Sequence, residues 1–109
     1  MGTISMQSLN DTTTTSTTGG EATVNGDSAN TAVSANPNRG SLEIYVEGAD
    51  AWIRLLPAAT DAGVRKGSFV RSGQTWSMPN SWWRRTYAGE VSIINAIDGQ
   101  SPTYYVTEI

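Results

Sequence analysis

The chain has 109 residues, 10 acidic side chains against 7 basic ones, a net charge of −3, and neither cysteine nor histidine. Those two absences exclude disulfides, thiolate or imidazole metal sites, and every Ser-His-Asp or Cys-His catalytic arrangement. The charge excludes the strong basic field of a nucleic-acid binder, and no run approaches the roughly 20 apolar residues of a membrane-spanning helix.

Residues 1–40 carry no aromatic side chain. They are built from Thr, Ser, Asn, Gly and Ala, with a tract Thr12-Thr13-Thr14-Thr15-Ser16-Thr17-Thr18 and only Ile4, Met6, Leu9, Val24 and Val33 as scattered larger apolar residues after Met1. Their acids, Asp11, Glu21 and Asp27, face a single base, Arg39. Such a segment buries too little apolar surface to offset its backbone entropy. It is expected to be an extended polar attachment arm over 1–40, preceding a compact domain over 41–109. Each scattered apolar residue would fill a pocket on a partner while the backbone adds to an exposed strand edge. Removing residues 1–36 is expected to leave the domain folded.

From Ser41 the pattern changes. Ser41–Glu47 alternates, with Leu42, Ile44 and Val46 on one face and Glu43, Tyr45 and Glu47 on the other, which predicts a strand. Gly48-Ala49-Asp50 turns the chain, and Ala51–Leu56 forms a second strand that stops at Pro57. Gly67–Arg71 and Gln74–Met78 flank Ser72-Gly73, a two-residue hairpin signal. Glu90–Ile97 and Pro102–Glu108 flank Asp98-Gly99-Gln100-Ser101 and are rich in β-branched and aromatic residues. No segment shows a helical apolar period. About six short strands at turn intervals of roughly 8–12 residues predict an all-β domain, a small antiparallel sandwich or barrel.

No phosphate loop or dinucleotide motif is present, so no catalytic residue, cofactor or metal is expected. The seven acids of residues 41–109 against six bases read as a solvated surface. The most conspicuous cluster is Trp82-Trp83-Arg84-Arg85. Adjacent residues of an extended segment point to opposite faces, so one Trp is expected inward and the other near the surface or in a subunit contact, where Trp and Arg are favoured. Sugar stacking and nucleic-acid contact are the rival readings. Arg65-Lys66 is a short basic turn, either a solvated loop or a point of attachment to an acidic partner. A domain of about 70 residues without disulfide or metal is expected to self-associate, with a trimer preferred.

The succession Trp52–Pro57, Arg65-Lys66-Gly67, Ser72–Trp76, Tyr87–Ile94 and Thr103–Glu108 resembles small accessory proteins of tailed bacteriophage particles. The likeness covers about Asp50 to Ile109 and leaves out both the arm and the Trp82–Arg85 cluster. It implies a structural, non-enzymatic virion role: capsid decoration, head fibre, or a piece of neck or tail. The partners it implies are further copies of the chain and, through residues 1–40, other virion proteins. A receptor- or carbohydrate-binding module of a tail or neck appendage is the alternative.

Overall fold

Leu42, Ile44 and Val46 are fully buried while Glu43 and Tyr45 face solvent, as their alternation requires. They belong to one of eight strands in a computed structural model that describes residues 21–59, 65–78 and 87–108. The strands are β1 (Glu21–Thr23), β2 (Asn30–Val33), β3 (Leu42–Glu47), β4 (Ala51–Arg54), β5 (Ser68–Val70), β6 (Gln74–Met78), β7 (Val91–Asn95) and β8 (Thr103–Glu108). The described residues contain no helix. The fold is all-β.

Two four-stranded sheets form, in the orders β1-β8-β3-β6 and β2-β7-β4-β5. Every neighbouring pair is antiparallel. The pairs β1·β8, β2·β7, β3·β6 and β4·β5 describe one long hairpin closed between β4 and β5. Two further pairs, β3·β8 and β4·β7, roll that hairpin into two layers. This is the eight-stranded jelly roll, reached from the strand order alone.

The rolled path explains where the sequence expectation and the structure part. Ser72-Gly73 and the Asp98-Gly99 segment do turn the chain, and both glycines have positive φ (89° and 83°). Yet β5 and β6 lie in different sheets, and so do β7 and β8. These turns are corners that carry the chain across the sandwich rather than hairpin loops. Turn chemistry fixes a local reversal; it does not say whether the strands that leave it share a sheet.

The second half of the expected arm is corrected as well. β1 and β2 complete the two sheets, Val24 is fully buried in the core, and Val33 is buried beside it. The folded unit therefore begins no later than Glu21, not at Ser41. Residues 21–40 fold because antiparallel ladders satisfy their backbone, so a few anchors suffice where the residues alone looked too polar. Val24 and Val33 occupy their own chain's core and are removed from the set of partner-pocket residues.

Candidate functional site

Among the described residues β1 and β2 are each an outer strand of its sheet, opposite β6 and β5 respectively, and both border one groove. Between them runs a groove of about 530 Å³, lined by Ala22 of β1, by residues 31–36 on and after β2, and by Tyr104, Val106 and Glu108 of β8. The inward positions of β8 supply one wall, because its alternate residues Tyr104, Val106 and Glu108 are the buried ones. β2 supplies the other. Its register against β7 slips between Thr31 and Val33, which places Ala32 as the extra residue of a bulge. Small side chains at Ala22, Ala32 and Ala35 leave the space open.

Polar groups bound the groove at defined points. The Tyr104 hydroxyl donates to the Thr31 carbonyl at 3.4 Å, which joins the two sheets across the floor. Burial pushes the Tyr104 phenol above its ordinary pKa, so it remains a donor at neutral pH. Glu108 is also part of the lining, but its carboxylate is engaged. Arg39 Nε lies 2.7 Å from Glu108 Oε2, with the arginine side chain wholly buried. The same guanidinium donates to the carbonyls of Tyr87 and Gly89 at 2.9 Å and of Ser34 at 2.8 Å. One side chain thus ties the loop after β2, the segment before β7 and the last strand together. A groove end that carries a carboxylate is left electrically neutral.

At another corner Asp27 Oδ1 accepts from Asn95 Nδ2 at 2.7 Å and from the Gly99 amide at 2.9 Å. Arg65 donates to the backbone and side-chain oxygens of Asn95, both at 2.8 Å, and pairs with Asp98 at 2.8 Å and Asp27 at 3.4 Å. Arg65 therefore holds a surface corner of its own chain together, and of the basic turn only Lys66 is exposed. Neither arginine was legible as an organiser, because the partners of each lie far off in sequence.

Ile4, Met6, Leu9, Trp82, Trp83, Arg84 and Arg85 lie outside the described residues. Among the described residues no group of three or more Asp or Glu could hold a metal ion, and no helix is long and apolar enough to cross a membrane. On the outer face of the first sheet Tyr45 and Tyr105 are direct cross-strand partners with ring centroids 5.9 Å apart. Tyr105 donates to Glu47 at 3.2 Å. Comparison with known proteins finds no matching family model, no matching curated relative and no matching solved structure.

Proposed function

We propose that this chain is a non-enzymatic structural subunit of a tailed-bacteriophage particle, a capsid decoration or head-fibre protein assembled in the host cytoplasm and held on the virion. The observation that supports it most is the groove bordered by β1 and β2, each an outer strand of its sheet among the described residues, with β1 next in sequence after the polar residues 1–20. A jelly roll is an architecture used by viral capsid domains and lectins, so the fold agrees with the reading by analogy. The resemblance of Asp50 to Ile109 to phage accessory proteins points the same way. A chain without His or Cys has little chemistry to offer beyond binding.

In this reading the attachment segment is 1–20, and the jelly roll is the body it anchors. The test is incorporation into particles. Full-length protein is expected to co-purify with phage particles, and a chain starting at Glu21 is expected to fold but stay out of them. Absence of the full-length protein from purified particles sinks the proposal. The Tyr45–Tyr105 pair favours a second reading, a carbohydrate-binding face on the outer sheet. A Tyr45→Ala chain that assembles normally but loses binding to host-cell glycans would select it.

A further inference from the structure

β3 turns Leu42, Ile44 and Val46 into the core, so Glu43, Tyr45 and Glu47 stand on the outer face of the first sheet. The register aligns them with the outward residues of the neighbouring strands. Tyr105, Tyr45 and Thr75 form one row across β8, β3 and β6. Thr103 and Glu47 run along one side of that row, and Thr107, Glu43 and Ser77 along the other. Tyr45 is 36% exposed, and Glu43, Thr75 and Ser77 are exposed around it. The face is open to solvent at its centre.

Chemistry and size together decide what such a face can hold. The Tyr45 and Tyr105 rings lie 5.9 Å apart, and the Tyr105 hydroxyl donates to Glu47 at 3.2 Å, which holds that ring beside its partner. A phenol ring presents an apolar face and a polar tip, and the C–H side of a pyranose packs on such a ring. Threonine hydroxyls donate and accept, and carboxylates accept strongly, so sugar hydroxyls find partners on both sides of the rings. Strand spacing and rise make the face about 15 by 20 Å. That is room for a few linked sugar rings. It falls well short of the roughly 800 Å² per partner of a standard protein–protein interface.

Charge then narrows the ligand. Glu43 and Glu47 bracket the tyrosines, while β1, β3, β6 and β8 contain no Lys or Arg. A carboxylate or sulfate on the sugar would meet two carboxylates, with no base in the sheet to balance them. We infer that the outer face of the first sheet takes a short neutral oligosaccharide, laid across the strands over Tyr45 and Tyr105, and rejects acidic glycans. The inference rests on the carbohydrate reading of this face and names its ligand class.

The test titrates the full-length protein by calorimetry with neutral tetrasaccharides of glucose, galactose, mannose and N-acetylglucosamine, each also in a form oxidised to a carboxylate at C6. At least one neutral tetrasaccharide is expected to bind. Its carboxylated form should bind about tenfold more weakly at low salt, the gap closing as salt screens it. Tyr45→Ala is expected to abolish the neutral binding. Glu43→Gln combined with Glu47→Gln should let the carboxylated form approach the neutral one, and urea unfolding of each variant verifies that it folds. Equal binding of neutral and carboxylated forms by the wild type overturns the inference and leaves the carbohydrate reading standing. So does an unchanged gap in the double glutamine variant. Binding that survives in folded Tyr45→Ala protein, or no binding of any tetrasaccharide, overturns the inference and the carbohydrate reading together. If Tyr45→Ala instead lowers the sedimentation coefficient of the unliganded protein, the face is a contact between copies and both fall.

Discussion

Residues 21–40 and residues 41–108 build the same two sheets from different means. The later region follows side-chain alternation: β3, β4 and β8 each bury every second residue. The earlier region has few apolar side chains to offer. It holds its place with Val24, Val33, backbone ladders to β8 and β7, and the buried guanidinium of Arg39. Composition reports the first kind of stabilisation well and the second poorly, since a ladder bond or a buried arginine leaves no local pattern.

The largest effect that sharpens this contrast is truncation. A chain starting at Glu21 is expected to unfold cooperatively with a midpoint close to that of the full chain. One starting at Ser41 loses β1 and β2, uncovers Tyr104 and Val106, and removes the partner of Glu108. It is expected to show no cooperative unfolding transition in urea at 25 °C or on heating. A well-folded chain from Ser41 would restore the view that the first 40 residues are an accessory arm.

Next in size is the Arg39–Glu108 pair. Arg39→Met leaves a buried carboxylate without its counter-charge and three carbonyls without a donor. Breaking such a pair costs about 3–5 kcal/mol, read as a lower urea midpoint at unchanged m-value. Adding Glu108→Leu is expected to recover part of that loss, because the isolated charge is gone. Recovery stays incomplete, since the carbonyls of Ser34, Tyr87 and Gly89 remain unpaired. Equal stability of Arg39→Met and the wild type would remove Arg39 as the anchor of the early region.

Much of the fold was legible where chemistry is local. The strands starting at Leu42, Ala51, Gln74 and Thr103 and the turns at Ser72-Gly73 and Asp98-Gly99 are read from alternation and turn residues. Their partners were not. Consecutive strands other than β4 and β5 sit in different sheets, and pairing between β1 and β8 joins opposite ends of the described chain. Nothing periodic announces a contact over such a separation. β1 was hidden for a second reason: a three-residue strand, Glu-Ala-Thr, carries no pattern of its own. The groove was invisible because it is defined by two strand edges that meet only after rolling.

The two valines of the early region separate core from groove. Val24 is fully buried, and Val24→Ala removes two methyl-sized groups at about 0.8 kcal/mol each plus a cavity term, about 2 kcal/mol or more. Val33 lines the groove, so Val33→Ala widens space already open and is expected to cost less. Urea midpoints of the two variants decide it. An equal or larger loss at Val33 would mean that its side chain serves the core alone and has no share in the groove.

The smallest effect concerns acid. Asp27 lies at an exposed corner, and its pKa is lowered first by the hydrogen bond from the Gly99 amide, then by that from Asn95, with Arg65 contributing least. A carboxylate whose folded pKa lies below its unfolded value stabilises the fold above the unfolded pKa, near 3.9. That stabilisation is lost as pH falls through the lower folded pKa. Stability of the wild type is therefore expected to decline below about pH 4, and Asp27→Asn should show a shallower decline in the same window. At pH 7 the variant should be less stable than the wild type by a small margin, because an amide oxygen accepts from Gly99 more weakly than a carboxylate. Urea midpoints between pH 2.5 and 7 measure both, with buffer values chosen to bracket the ordinary carboxylate range. Parallel curves for the two proteins would show that the corner is held by Arg65, Asn95 and Asp98 without Asp27.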